Sequence, residues 1–222
     1  MEWWIIDLVK IMLINLVLSG DNAVVIAMAS RNLPIALQRL AVFWGAAMAV
    51  ILRVILTIIA FKLLEIPYLM AAGAILLLWV AMSLLLDSKQ MDHDSIKASD
   101  MLLNVVMTIV LADFVMSLDN VIAIAAVAEG DVILITLGLL FSIPLIIWGS
   151  HLVLKLLERY PLFLYLGAAV LAYTAGEMIL KDQKAAHWVV SIWPFSEALI
   201  PAFLALVVAA VGYLSKKSKI YC

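Results

Sequence analysis

Two twelve-residue segments of this chain resemble each other and are identical at six positions. Residues 16–27 read LVLSGDNAVVIA and residues 114–125 read FVMSLDNVIAIA, so each contains the motif Ser-x-Asp-Asn between apolar flanks. Four polar positions match at an offset of 98 residues: Asn15 with Asp113, Ser19 with Ser117, Asp21 with Asp119, and Asn22 with Asn120. A second match, at an offset of 94, pairs Pro67 and Gly73 with Pro161 and Gly167. This self-similarity indicates an internal duplication.

The composition is that of a membrane protein. Hydrophobic residues make up 67% of the 222 residues, charged residues only 14%, and the mean hydropathy is +1.18. A soluble domain has about 45–50% apolar and about 25% charged residues, so this chain has too little polar surface to face water on all sides. The net charge of -2 provides no basic field for nucleic acid. The single cysteine, Cys222, excludes an intrachain disulfide and a cysteine-ligated zinc site.

The apolar residues fall into stretches long enough to cross a bilayer. A spanning helix needs about 20 predominantly apolar residues, because about 30 Å of hydrocarbon is crossed at about 1.5 Å per residue. Residues 3–10, with two tryptophans, are interpreted as an interfacial lead-in. The predicted fold is an all-α polytopic membrane protein with about seven transmembrane helices. The predicted spans are 11–30, 40–61, 69–86, 108–127, 132–153, 161–180 and 197–214.

The distribution of positive charge orients the predicted bundle. With the N-terminus outside, nine of the 14 Lys and Arg residues fall on the inner side and three on the outer side. Cytoplasmic segments of membrane proteins carry the excess of Lys and Arg. We therefore predict an extracytoplasmic N-terminus, a cytoplasmic loop over residues 87–100, and a cytoplasmic C-terminus.

The duplication predicts how the spans are arranged. Within a single transmembrane domain over residues 1–222, repeat 1 covers 1–86, repeat 2 covers 101–180, and a seventh helix at 197–214 lies outside the duplication. Because each repeat has an odd number of spans, the second copy enters the membrane from the opposite side. Transporters use such inverted repeats to place one site near the midplane, between the two halves. At an offset of 98 Arg53 falls opposite His151, although the residues around them do not match.

Aspartates within predicted spans are the main functional candidates, because each costs about 2.5–3.5 kcal/mol at a helix centre. Asp21 and Asp119 lie near the centres of the first and fourth spans. Additional oxygen ligands come from the motif neighbours Asn22, Asn120, Ser19 and Ser117. Carboxylate, amide and water oxygens suit a hard divalent cation such as Mg²⁺, Ca²⁺ or Mn²⁺. The alternative is that each Asp-Asn pair only fastens two helices together.

Several other polar residues are weighed beside the motifs. Asp113 lies about 9 Å before Asp119 on a straight helix and is interpreted as a second metal ligand, a proton-carrying partner, or the counter-ion of Arg53. Arg53 is read as a structural partner of a buried acid rather than a gate. Glu177 is placed in the outer vestibule or in solvent. Less weight is given to Glu197 as a vestibule residue, His151 and Met116 as ligands, and His93 as part of a cation-collecting loop.

The stretch from Leu18 to Ala23 and the pattern Asp113-x5-Asp119-Asn120 resemble the TerC family of bacterial integral membrane proteins, in particular its short members. The resemblance extends over nearly the whole chain, which lacks the appended cytoplasmic domain of the long members. It implies a LysE-type exporter of Mn²⁺ in the bacterial cytoplasmic (inner) membrane. The ion pathway would then include Asp21, Asn22, Asp113, Asp119 and Asn120. Exported metalloenzymes or the secretion machinery are implied as indirect partners.

The leading hypothesis from the sequence is therefore export of a divalent cation, with Mn²⁺ as the transported substrate, Ca²⁺ as the alternative, and no prosthetic group. A membrane enzyme that uses Asp21 and Asp119 as an aspartyl pair is a second hypothesis. The symmetric Asp-Asn motifs favour ligation over it, because an acid and a base need unlike environments. A third hypothesis is an accessory membrane subunit whose buried acids only join helices.

Overall fold

The computed structural model describes residues 2–64, 66–86, 98–128, 130–182, 184–187 and 196–218, and it is helical throughout, with no strand in these ranges. The all-α class predicted from the sequence is therefore confirmed. The longer helices are α1 (Glu2–Leu18), α2 (Gly20–Ser30), α3 (Ile35–Ile58), α4 (Ala60–Leu64), α5 (Leu69–Leu86), α6 (Ala98–Ala128), α7 (Val132–Leu140), α8 (Ile143–Arg159), α9 (Leu162–Lys181) and α10 (Ser196–Ser218).

Five helical stretches of the described chain are long and apolar enough to cross a membrane: Ile35–Ile58, Leu69–Leu86, Ala98–Ala128, Val132–Arg159 and Leu162–Lys181. The fourth of these joins α7 and α8. A sixth span results if the bent pair α1–α2, which turns by 49°, is counted as one. The apolar part of α10, Leu199–Ser215, is shorter than these stretches. Five or six spans are thus supported where the sequence predicted about seven.

Two helices begin before the predicted spans that they contain. The segment interpreted as an interfacial lead-in is helical, since α1 begins at Glu2, nine residues before the predicted start of the first span. Helix α6 begins at Ala98, ten residues before the predicted start of the fourth span, so the predicted loop 87–100 loses its last three residues to the helix. Residues 87–97, including His93, lie outside the described residues.

The first span is broken within the first motif. Helix α1 ends at Leu18 and α2 begins at Gly20, with Ser19 between them at φ -105° and ψ 6°. A Cβ added to Gly20 would meet no heavy atom within 4 Å, so close packing does not require this glycine, whereas adjacent Gly and Ser residues are a common place for a helix to kink. In the second motif the equivalent residue is Leu118, which is buried inside the unbroken helix α6.

The helices pack in pairs that match across the chain. Helix α3 packs along α6, while α1 and α2 pack along α7 and α8. Helices α5 and α9 pack against one another, and α10 covers the other side of α9. The broken pair α1–α2 also lies directly against α6. This arrangement brings the two Ser-x-Asp-Asn motifs together at the centre of the molecule.

The start of α1 is tied to the turn before α7. The Trp4 indole Nε1 donates to Asp131 Oδ2 over 3.1 Å, and Asp131 Oδ1 caps α7 by accepting from the backbone N–H groups of Ile133 and Leu134. The pKa of the Asp131 carboxyl is held below its usual range by these hydrogen bonds. The backbone N–H of Leu134 has the largest effect, followed by the Trp4 indole and the backbone N–H of Ile133. The N-terminus and this turn therefore lie on the same side of the bundle.

Large apolar side chains cover much of the outer surface. Val17 is 79% exposed, and Trp79, Trp148, Phe203 and Leu206 are each more than half exposed. A soluble protein rarely exposes large contiguous apolar surfaces. A lipid environment explains these side chains without any cost of exposure to water.

Helix α10 is held close to α9 by a glycine. A Cβ added to Gly176 would lie 2.5 Å from the backbone Cα of Pro201. We expect Gly176→Ala to lower the melting temperature of the detergent-solubilised protein, because a backbone atom cannot move aside and overpacking costs about 1–3 kcal/mol. The matched control is Gly149→Ala, whose added Cβ would sit 3.7 Å from the Ala23 Cβ. This control should be neutral or slightly stabilising, since alanine favours helix. Equal melting temperatures for the two variants would contradict the close α9–α10 contact.

Candidate functional site

The centre of the molecule is occupied by the guanidinium group of Arg53. This residue is 1% exposed on α3 and is among the largest fully buried side chains. Its Nε donates to Ser117 Oγ over 3.0 Å, and its Nη2 donates to Asp113 Oδ1 over 2.5 Å. Its Nη1 donates to Asn15 Oδ1 over 2.5 Å and to Ser19 Oγ over 2.7 Å. Arg53 thus joins α3 to both α1 and α6.

The four partners of Arg53 form two matching pairs. Ser19 Oγ donates to Asn15 Oδ1 four residues earlier, over 3.2 Å, and Ser117 Oγ donates to Asp113 Oδ2 four residues earlier, also over 3.2 Å. These pairs are the same positions that match at an offset of 98 residues. One guanidinium therefore bridges equivalent positions of the two motif segments. The pairs differ in charge, because Asn15 is neutral and Asp113 is a carboxylate.

Arg53 and Asp113 form a buried ion pair, with side-chain exposures of 2% and 5%. The sequence left open whether Asp113 is a ligand, a proton carrier or the counter-ion of Arg53, and the structure shows the ion pair. A buried pair of this kind must have its remaining donors and acceptors satisfied to be tolerated. Ser117 provides this for the second carboxylate oxygen, and Asn15 and Ser19 provide it for Nη1. The candidate pathway residues Arg53, Ser19 and Ser117 therefore meet in one network.

Asn22 is buried but makes no side-chain hydrogen bond within the described residues. It is 4% exposed, and both its Oδ1 and its Nδ2 lack a partner. A buried amide without partners costs about 1–3 kcal/mol. Asn22 and Asp113 both line a cavity of about 10 Å³, which is completed by Val25, Ile26, Ala49 and Ile109. Such a volume is close to the minimum that holds one water. The cavity therefore has room for no more than a small occupant.

The equivalent residue, Asn120, does have a partner. Its Nδ2 donates to the backbone carbonyl of Leu18 over 3.3 Å. That carbonyl is available because α1 ends at Leu18. For Asn22 the equivalent carbonyl belongs to Met116, which lies inside the continuous helix α6, where carbonyls accept from the chain four residues on. The break after Leu18 thus provides a partner for Asn120, whereas Asn22 faces an unbroken helix and has no partner within the described residues.

Asp21 and Asp119 have different surroundings. Asp21 lies half-buried in the first turn of α2, where its Oδ1 accepts from the Asn22 backbone N–H over 2.8 Å. Arg53 and Asp113 are both near enough to act on it electrostatically. Asp119 forms an ion pair with Lys181 at the end of α9, and the side chains are 30% and 47% exposed. Asp21 therefore belongs to the region of Asn22 and Asp113, and Asp119 to a more open region.

A larger cavity, of about 160 Å³, lies at the other end of α2. Polar groups of Asn32, Ser83, Asn104 and Thr108 line it, together with Met28, Ala29, Leu33, Leu84 and Val105. The two cavities are bordered by neighbouring residues, since Thr108 lines the larger and Ile109 the smaller. The lining of this cavity is mostly apolar, and its volume is large enough for several waters near the four polar residues.

The remaining candidates lie away from this network. Glu177 is half-buried on α9, and His151 is half-buried on α8. Met116 is 2% exposed and packs within the core. Glu197 lies in α10, and its side chain is outside the described residues. The prediction missed Asn15 and Lys181 as site residues; the offset that pairs Asn15 with Asp113 was the signal for the first.

No group of three or more His, Cys, Asp or Glu side chains is placed to hold a metal ion in the part of the chain that the structure describes. A cation at the smaller cavity would instead use the Asn22 amide oxygen, the Asp113 carboxylate and water. This mixed oxygen set is one that hard divalent cations accept.

Comparison with known proteins identifies the family. The model of the integral membrane protein TerC family matches residues 1–219. The chain belongs to the TerC family. A curated relative, the "Uncharacterized membrane protein YjbE" of Bacillus subtilis (strain 168), is 49% identical over 181 residues, which cover 82% of each chain. No solved structure matches this TerC-family chain. The resemblance inferred from the sequence motifs is thus confirmed, and the protein is an integral membrane protein.

The two ion pairs of this TerC-family protein should differ in their contribution to stability. We expect Arg53→Met to lower the free energy of unfolding by about 3–5 kcal/mol, because it leaves a buried carboxylate unpaired. Lys181→Met should cost less than about 1 kcal/mol, because its ion pair is partly exposed. Urea or thermal unfolding of the detergent-solubilised variants measures both. Similar losses for the two variants would contradict the central role assigned to Arg53.

Proposed function

We propose that this TerC-family protein exports a divalent metal cation, with Mn²⁺ as the preferred substrate, and that the cation binds between Asn22 and Asp113. The observation that carries the proposal is the buried Asn22 amide, which has no partner among the described residues and borders a cavity of about 10 Å³ shared with Asp113. Buried polar groups without partners are rare and call for an explanation. A transported ion at Oδ1, with a water that accepts from Nδ2, explains this one.

The charges near the cavity favour a cation. Asp113 lines it, and Asp21 is close enough to act on the same region. Two carboxylates would balance the charge of a divalent ion, which binds oxygen ligands more tightly as the number of charged ligands rises. No thiolate is available, since the chain has one cysteine, at position 222. Oxygen ligands of this kind accept Mn²⁺ and also Ca²⁺, and they do not favour soft metals.

The two cavities suggest a route for the ion. Both lie along α2 and α6, and the larger one is near the ends that the predicted topology places at the cytoplasm. Its hydroxyl and amide groups suit a hydrated cation, which would lose water as it moves toward Asn22. On the opposite side of the helix break, Asp119 and Asn120 are proposed as the next part of the pathway, with Lys181 beside them.

The packing supports an inverted repeat. In such a repeat, α1–α2 corresponds to α6, α3 corresponds to α7–α8, and α5 corresponds to α9. The contact of α3 with α6 is then equivalent to the contact of α7–α8 with α1–α2, and both contacts are present. The contact of α5 with α9 joins two equivalent helices. A broken helix at the interface of two such halves is typical of transporter binding sites. Helix α10, which contains the predicted seventh span, lies outside this arrangement and packs on α9.

The two alternative functions have weaker support. An aspartyl pair would need Asp21 and Asp119 to share a site, yet within the described chain they engage different partners, Asn22 and Lys181. An accessory role in which polar residues only join helices does not explain Asn22, which joins nothing.

Asn22→Leu is the sharpest test of the cation site. The change removes an amide that bonds to nothing and keeps the side-chain size, so the fold should be as stable as the wild type or more so. Mn²⁺ binding should weaken at least about tenfold, or about 1.4 kcal/mol, and cells expressing the variant should lose their gain in Mn²⁺ tolerance. Metal analysis of the cells and titration of the purified protein measure both effects.

The control for this test is Ser150→Ala. Ser150 is also buried, but its hydroxyl donates to the Ile146 carbonyl of its own helix α8. This variant should lower intracellular Mn²⁺ as well as the wild type does. If well-folded Asn22→Leu protein still exports Mn²⁺ at the wild-type rate, the metal-site assignment is wrong.

The proposed direction of transport depends on the topology. We expect a reporter fused after Cys222 to be cytoplasmic and a reporter at Gly130 to be extracytoplasmic. Because Trp4 is hydrogen-bonded to Asp131, we expect the N-terminus to lie on the same side of the membrane as Gly130. Fusions to alkaline phosphatase and to a fluorescent protein show on which side of the membrane each site lies. If both sites lie on the same side, the predicted orientation is wrong.

A further inference from the structure

The charge of Arg53 is shared between a charged and a neutral set of equivalent acceptors. On α6 it meets Asp113 and Ser117, and in the first motif segment it meets Asn15 on α1 and Ser19 directly after α1. Asp113 lies between Arg53 and the cavity that it shares with Asn22. The same carboxylate is therefore the partner of a resident cation and a wall of the proposed cation site.

We propose that Arg53 is a tethered counter-cation that competes with the transported ion for Asp113. This inference rests on the proposed function. Arg53 neutralises Asp113 while the site is empty. When a divalent cation binds between Asn22 and Asp113, Arg53 gives up Asp113 and keeps its contacts with Asn15 and Ser19.

Electrostatics requires such a competition. A guanidinium and a divalent cation that touch the same carboxylate repel each other strongly in a buried site, where water screens poorly. The two carboxylates that act on this region, Asp113 and Asp21, also cannot balance the three positive charges of Arg53 and a divalent cation. Cation binding at Asp113 must therefore weaken the contact with Arg53, and the contact with Arg53 must lower the affinity for the cation.

Arg53 can keep most of its hydrogen bonds to the protein when it leaves Asp113. Nη1 already donates to Asn15 Oδ1 and Ser19 Oγ, and Nε donates to Ser117 Oγ. Only the Nη2 contact has to be lost. Arginine suits this role because its donors form a rigid fork that stays charged at any physiological pH.

The competition has a use in a transport cycle. An exporter must release its ion and then return without it. An empty site with an unpaired carboxylate would be costly in the membrane interior. Arg53 removes that cost and also limits the affinity, so that the ion can leave.

Asn15→Asp tests the proposal without removing any partner. The new carboxylate would accept the hydrogen bonds that Asn15 Oδ1 accepts from Arg53 and Ser19. Arg53 would then be neutralised on α1, and Asp113 would be free for the cation. We expect Mn²⁺, titrated into the purified protein in detergent, to bind at least tenfold tighter than to the wild type. Efflux of Mn²⁺ should slow, because release becomes harder.

The matched control is Ser99→Asp, which adds the same charge on α6. Ser99 is exposed, lines neither cavity and lies about 21 Å along the helix from Asp113, so its effect on Mn²⁺ affinity should stay below about threefold. Equal gains from the two variants would show a general effect of charge and would overturn the proposal.

Arg53→Gln provides a second test, which also works if it destabilises the protein. With the resident cation removed, Mn²⁺ should take its place beside Asp113. The melting temperature of Arg53→Gln should therefore rise more on addition of Mn²⁺ than that of the wild type, because a ligand stabilises the state that binds it more tightly. A purely structural arginine predicts no such extra rise, and an equal or smaller rise would overturn the proposal.

The outcomes also separate this proposal from the proposed function. If wild-type protein does not bind Mn²⁺, both fail. If the wild type binds Mn²⁺ and Asn22→Leu does not, the cation site stands. Unchanged affinity in Asn15→Asp then refutes the role of Arg53 alone.

Discussion

The buried ion pair between Arg53 and Asp113 is the interaction on which the centre of this protein depends. A charge in the membrane interior is tolerated only when it is paired and its other hydrogen-bonding groups are satisfied. Arg53 meets this condition with four hydrogen bonds to residues of α1 and α6. Because these acceptors come from both motif segments, the position of α3 fixes α1 relative to α6. The same interaction places a carboxylate beside the cavity at Asn22.

A single difference between the two motifs accounts for the asymmetry of the site. The first contains Gly20 and the second Leu118, and only the first helix is broken. The break exposes the Leu18 carbonyl to Asn120, while the continuous helix α6 offers no carbonyl to Asn22. Within the described residues, the two similar motifs thus produce one asparagine with a protein partner, Asn120, and one without, Asn22.

Membership in the TerC family and the apolar surface make this an integral membrane protein. Within such a protein the polar groups are few, and most of them lie along α2 and α6 or at the contact with α3. The cavities follow the same helices. The larger cavity, the cavity at Asn22 and the Arg53 network therefore follow one another along α2 and α6.

The amino-acid sequence alone was enough to determine the helical class, the duplication and the motif residues, because apolar length and matching spacing are local properties of the chain. Helix ends were predicted less well, since α1 and α6 continue through polar residues beyond the apolar core. Only the tertiary structure decided which aspartate meets which cation. Asp113 pairs with Arg53 and Asp119 with Lys181, because these contacts join residues 60 and 62 positions apart, and such distances are set by helix packing, which sequence spacing does not encode.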